Sequence, residues 1–391
     1  MNLWLPMAAG AGALLAVASF VGTDWDLPPV DTEQIGYRGT GMYNSRDRET
    51  EAALQAANVV PPAPWEADPE GDRAGDIYEN VQVLGHLSDD QFNQFMAAIT
   101  EWIAPEEGCT YCHNAENFAT DDVYQKVVSR RMIQMTQAIN EDWTPHVQQV
   151  GVTCYTCHRG QAIPANVWSR DTSPEPQPGM AGYRAGQNVV AKFGGNSSLP
   201  QNALEDYLLN DTNIRVHSTT ALPTGTNPNG TKETENTWSL MMHMSESLGA
   251  NCTTCHNSRA FNDWDQSPPQ RVTAWHGIRM SRAINNDYIV GLTPVFPDSR
   301  KGPAGDVYKV SCAPCHNGVQ KPLYGVSMIE DYVDALSKKT QTGVPDYGTY
   351  VPGETLTLEP APEPGTTSSL APALAPAGAT GERNVAAVVG Q

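Results

Sequence analysis

Apolar and polar positions along the chain fall into three regimes. Leu3 to Val21 is an unbroken apolar run without a charged side chain. At 1.5 Å of rise per residue, a helix of that length comes close to the roughly 30 Å of a bilayer core. Two readings fit residues 1–23: an uncleaved single-pass anchor, or a secretory signal cut at Ala16-Val17-Ala18. The second regime has a helical period. Ser88-Asp89-Asp90-Gln91 has the form of a capping box, and Phe92, Phe95, Met96, Ile99 and Ile103 follow at three- and four-residue spacing. Thr120-Asp121-Asp122 reads as the start of a helix through Met132, and Asn236 or Thr234 as the start of one through Met241. The third regime is irregular: from Pro352 to Gln391 Pro, Ala, Thr and Gly dominate without apolar period, the composition of a tail.

Composition narrows the fold. With 33 Gly and 30 Pro in 391 residues, a bundle of long helices throughout is excluded, and short helices joined by extensive loops are expected. The hydrophobic fraction of 40% excludes bulk disorder. Lys and Arg total 24 against 44 Asp and Glu, a net charge of −20. Such a chain repels phosphates, so a nucleic-acid partner is not expected, and a basic protein surface is its natural complement.

All eight cysteines fall in Cys-x-x-Cys-His pentapeptides: Cys109-Cys112-His113, Cys154-Cys157-His158, Cys252-Cys255-His256 and Cys312-Cys315-His316. Two thiols at this spacing reach both vinyl groups of one haem and form thioethers, and the adjacent histidine ligates the iron. Zinc ribbons do not require a histidine after every pair, and a disulfide framework would not enforce the uniform spacing. The pattern therefore predicts four covalent c-type haems on an exported domain.

The chain also repeats. With an offset of 145 positions, Tyr124 to Trp143 lies over Pro269 to Tyr288, and Phe95-Met96 lies over Leu240-Met241. The expected fold is mainly α: two two-haem modules related by a pseudo-two-fold, residues 86–165 and 231–335. An extended segment (24–85) precedes them, a connector (166–230) joins them and a tail (336–391) follows. Lys126 and Arg271 align at the start of equivalent helices, where the backbone dipole disfavours a cation; a haem propionate is the expected partner.

A haem used only for electron transfer normally has Met or a second His opposite the proximal histidine. Off the motifs the candidates are Met96, Met132, Met135, Met180, Met241, Met242, Met244, Met280, His86, His146, His217, His243 and His276. Met96 and Met241 occupy equivalent places in the repeat. Met132 would serve the second haem, but its counterpart is Gly277, so the fourth haem needs another donor.

The four motifs, the repeat, and the strings Ser239-Leu-Met-Met242 and Arg159-Gly-Gln-Ala-Ile-Pro164 resemble the tetrahaem cytochrome subunit of purple-bacterial photosynthetic reaction centres over about residues 25 to 335. The resemblance implies Met96, Met132 and Met241 as ligands of the first three haems and His146 as that of the fourth. Met242 and Met244 stay open as alternatives to Met241, and His276 and Met280 as alternatives to His146. It also implies a spatial haem order of third, fourth, second, first from the special pair outward, and a non-enzymatic relay on the periplasmic face of the photosynthetic membrane. Electrons would come from a soluble basic c-type cytochrome or a high-potential iron–sulfur protein. The implied partners are the reaction-centre membrane subunits, with light-harvesting antenna a further candidate contact. The family's lipid-modified N-terminal cysteine is lacking in the apolar run, so anchoring would fall to the helix. The rival readings are a multihaem c-type reductase and a respiratory quinol-linked relay.

Overall fold

The structure is a computed structural model that describes residues 4–22, 30–34, 42–170, 199–200, 202–214, 231–340 and 343–356. It is mainly helical with long loops. The candidate ligands Met180 and His217 lie outside the described residues.

The chain enters as α1 (Trp4–Gly22), 19 residues long. Its side chains at Met7 and from Gly10 to Gly22 are exposed. No helix among the described residues is long and apolar enough to cross a membrane. An antiparallel pair follows, β1 (Val30–Gln34) with β2 (Tyr43–Asp47), in register from Val30 opposite Asp47 to Gln34 opposite Tyr43. Asp47 ends β2 and caps α2 (Arg48–Ala57) by accepting from the Thr50 amide at 2.8 Å.

After the short α3 (Ala74–Ile77) comes α4 (Asp89–Ile103), opened by the expected box. Ser88 Oγ accepts from the Gln91 amide at 3.1 Å, and the Ser88 amide donates back to Gln91 Oε1 at 3.2 Å. Next come α5 (Tyr124–Asp142), α6 (Thr144–Val147) and α7 (Cys154–His158). The second half contains α8 (Ala203–Leu208), α9 (Thr231–Leu248), α10 (Gln270–Ala283) with a π-helical continuation Ile284–Ile289, α11 (Ala313–His316) and α12 (Val333–Leu336).

Two helix starts differ from expectation. The helix through Met132 opens at Tyr124, not at Thr120-Asp121-Asp122. Asp121 is fully buried instead and accepts both guanidinium nitrogens of Arg130, at 2.8 and 2.9 Å. The helix through Met241 begins at Thr231, ahead of Thr234 and Asn236.

The core is shared across the sequence halves. Phe95, Ala98 and Trp102 of α4 pack with Ile133 of α5 and with Leu323, Met328, Tyr332 and Leu336. Trp102 and Tyr332 meet edge to face at 4.9 Å. A second cluster joins Ile139 to Met280, Ile284 and Val307, and a third joins Val127 to Leu292, Val295 and Tyr347. Residues 343–356 return along α5, where Tyr350 Oη donates to Asp121 O at 3.2 Å.

Candidate haem-ligand centre

The histidine of each Cys-x-x-Cys-His motif is tied to the backbone through Nδ1. His113 Nδ1 donates to Phe118 O (3.0 Å), His158 Nδ1 to Gln161 O (2.9 Å), His256 Nδ1 to Phe261 O (2.8 Å) and His316 Nδ1 to Val319 O (3.1 Å). A carbonyl can only accept, so each ring carries its proton on Nδ1, and in the neutral ring Nε2 keeps the lone pair with which it could hold a metal. The sequence reasoning did not identify these acceptors. For two of them a signal existed: Cys-His-Asn-x-x-x-Phe occurs at Cys112–Phe118 and again at Cys255–Phe261.

His146 has the same preparation. Carried on α6, its Nδ1 donates to Thr273 O of α10 at 2.9 Å. Its ring lies beside that of His316, with centroids 6.0 Å apart and planes 69° apart. Gly277 makes the place: an added Cβ there would stand 2.5 Å from His146 Cε1 and 2.9 Å from Nδ1. Burial pushes His316 down to about 4, with the neighbouring His146 adding to the effect. Burial likewise lowers His146, which the Thr273 carbonyl partly offsets. Both rings are therefore neutral, the form that binds a metal.

One cavity of about 610 Å³ joins much of this chemistry. Cys154, Cys157, His158, Cys312, Cys315, His316, His146 and Met132 line it, together with Cys255, Met244 and Met280. Met132 thus shares a wall with the second motif. Met96 lies apart, against the Phe95–Trp102 cluster on α4. Met241 packs with Leu240, Ile278 and Met244, whereas Met242 is 39% exposed. His276 sits against Trp275, with ring centroids 4.8 Å apart, and Met280 is buried one helical turn beyond Gly277. His86 donates to or accepts no candidate ligand; its Nε2 meets Asp334 O at 2.9 Å. His243 is buried on α9, with Nε2 3.3 Å from Ser247 Oγ.

The residues fit a porphyrin. Arg159 Nε and Ser311 Oγ are buried without a hydrogen-bond partner among the described residues, and Ser311 lines the cavity, so acidic propionates would find donors here. Burial pushes the Cys154 and Cys312 thiols up to about 12, so both stand as neutral S–H near neutral pH. Cys157 and Cys315 are paired as a disulfide, with Cα atoms 4.4 Å apart. The second and fourth motifs are therefore immediate neighbours, and Arg159 spans them by donating to Cys315 O at 3.3 Å.

Lys126 and Arg271 are both hydrogen-bonded to neighbouring loops. Lys126 Nζ donates to the carbonyls of Phe118 and Ala119 (both 2.8 Å) and Thr120 (3.0 Å). Arg271 Nη1 donates to Asp263 O at 2.9 Å and to Ser267 Oγ at 2.7 Å. Each cation holds the loop that follows a haem motif, which is what the dipole penalty at the helix start is exchanged for.

The segment from Tyr43 to Trp65 touches the motifs in turn. Tyr43 O accepts from Asn251 beside the third motif (3.0 Å), and Leu54 lies over Gly318 just past the fourth. Asn58 and Val59 bind Arg159 (2.7 Å) and Tyr155 (3.0 Å) of the second. Trp65 Nε1 reaches Asp90 (3.1 Å) on the helix leading to the first.

Comparison with known proteins agrees with this chemistry. The chain is 50% identical over 328 residues (84% of it, 87% of the relative) to the photosynthetic reaction center cytochrome c subunit of Rubrivivax gelatinosus. It is 48% identical over 323 residues (82% and 78%) to that of Thermochromatium tepidum, and 44% over 312 residues (76% and 84%) to that of Roseobacter denitrificans. Residues 26–336 match the model of the photosynthetic reaction centre cytochrome C subunit, so the chain belongs to that family of haem-carrying electron-transfer subunits.

Proposed function

We propose that this chain carries four covalent haems and re-reduces the photo-oxidised special pair of a reaction centre with electrons from a soluble, basic carrier. The observation that carries the reading is His146 set beside His316 and seated against Gly277. A reductase needs one exchangeable position, and His146 occupies the place where the fourth haem would offer it. The haems supply one-electron chemistry. The chain's residues fix and tune them: Cys109, Cys112, His113 and Met96 hold the first; Cys154, Cys157, His158 and Met132 the second. Cys252, Cys255, His256 and Met241 hold the third, and Cys312, Cys315, His316 and His146 the fourth. Thioether formation consumes free thiols, so the Cys157–Cys315 pair must stand reduced when the haems are attached.

The contacts of the Tyr43–Trp65 segment run third, fourth, second, first, and the adjacency of Cys157 and Cys315 supports the middle step of that order. Two-haem modules at 86–165 and 231–335 accord with the repeat. α1 is the membrane anchor in this reading. The haem domain then lies on the periplasmic side. Exposed Glu66, Asp68, Glu70, Asp72, Asp76 and Glu79, ahead of the Met96 helix, offer the basic carrier its docking field.

Purification from photosynthetic membranes tests the assignment. Bacteriochlorophyll-containing subunits should co-purify, and the reduced complex should bind almost no CO. A free chain with one CO-binding haem would overturn it in favour of a reductase.

A further inference from the structure

The four proximal histidines divide into two classes. His158 and His316 donate to carbonyls three residues on, at Gln161 and Val319. His113 and His256 donate five residues on, and in both cases the acceptor is a phenylalanine whose own ring returns to lie on the imidazole. Phe118 stacks on His113 with centroids 4.9 Å apart and planes 21° apart; Phe261 stacks on His256 at 4.4 Å and 8°. Among the described residues no aromatic ring is recorded stacked on His158. The only ring recorded beside His316 is His146, which meets it edge to face.

These two rings are costly to place. Phe118 is 51% exposed and Phe261 is 41% exposed. A half-exposed phenylalanine gains little from burial, so its recurrence at equivalent places in both halves calls for a local reason. The loops bearing them are held from behind: Lys126 shares the Phe118 carbonyl with His113, and Arg271 holds Asn262 and Asp263, next to Phe261.

We propose that Phe118 and Phe261 are positioning residues for the haem ligands His113 and His256. Each fixes its imidazole twice, by the carbonyl that fixes the proton and by the stacked ring that fixes the plane and keeps water off it. The first and third haems thereby keep a sheltered, oriented ligand although Cys109 and Cys252 of the same motifs are exposed. The inner pair, whose motifs line the cavity, needs no such cover. This inference rests on the reading of His113 and His256 as haem ligands. Removing a ring admits water beside the imidazole, and water favours the more charged ferric form. The potential of that haem then falls, and its ligand plane is freed to turn.

The test is a redox titration and low-temperature electron paramagnetic resonance of the purified haem-loaded complex bearing Phe118→Ala, Phe118→Tyr or Phe261→Ala. Both phenylalanines are surface residues, so the fold survives their loss. Phe118→Ala should lower one of the four midpoints and shift the g-values of that haem alone, Phe118→Tyr should restore both, and Phe261→Ala should move a different haem. Four unchanged midpoints and signals in Phe118→Ala, with four haems counted by pyridine haemochrome, would overturn the proposal and leave the ligand reading intact. A Phe118→Tyr shift as large as that of alanine would overturn it as well, since the ring would then not be what matters. Loss of no haem signal in His113→Ala would instead sink the ligand reading itself.

Discussion

Gly277 shows what a single side chain, by being absent, arranges. The repeat aligns it with Met132, and the missing side chain leaves room for the His146 ring from the other half of the sequence. Replacing it with alanine puts a methyl group 2.5 Å from His146 Cε1, closer than real contacts allow, so the ring must shift from its place. The expected outcome of Gly277→Ala is one haem turned high-spin and CO-binding while three keep their spectra; four unchanged low-spin haems would show that His146 does not ligate. Arg159 works by charge. Its guanidinium lies between the second and fourth motifs, bound to Asn58 Oδ1 and Cys315 O. A fixed positive charge disfavours ferric haem, so Arg159→Gln should lower the second and fourth midpoints by about 60 mV or less, a tenfold shift in a one-electron couple being about 59 mV. The titration should leave the first and third in place. The sequence marks Arg159 only as part of a family string; its tie to the fourth motif was hidden because that neighbour lies 156 positions away.

At the scale of elements, local signals were legible and long-range ones were not. The Ser88–Gln91 box forms because its two bonds join residues three apart. Asp121 has the residue type and position of a helix cap, yet Arg130 draws its carboxylate into a buried ion cluster and the helix starts later without a side-chain cap. Arg130 and Lys126 flank it, with side chains only 12% and 10% exposed. Burial alone would raise the Asp121 carboxyl, but the Arg130 hydrogen bonds and the charges of Arg130 and Lys126 hold it below its usual value. Its contribution to stability is therefore complete above the ordinary carboxylate pKa of about 3.9 and is lost as pH falls through the lower folded value. Asp121→Asn leaves two buried cations without their counter-charge and should cost about 3–5 kcal/mol near neutral pH. Guanidinium melts should show that loss shrinking in acid; a cost below about 1 kcal/mol at pH 7 would mean the cluster is well solvated.

For the molecule as a whole, the cysteine spacing pointed to the cofactor chemistry, the repeat singled out Met96, Met132 and Met241 and left the Gly277 gap, and the family resemblance supplied His146. Packing between halves was hidden, because Leu323 to Leu336 meets Phe95 and Trp102 through folding alone. The Tyr43–Trp65 segment was hidden too, since its contacts lie far away in sequence and it has no periodic apolar pattern to announce them. The charge of −20 makes its own prediction. Association with a basic carrier should slow steeply as salt rises, since screening acts within about 10 Å at 0.1 M; a flat dependence would point to apolar docking. The most direct test of the central claim is flash spectroscopy on the complex with its haems reduced beforehand. Bleaching of the special pair should recover as a haem α-band bleaches with the same time constant, and His146→Ala should slow the electron's passage from the second haem to the third. Recovery at an unchanged rate in complexes stripped of this chain would contradict the account.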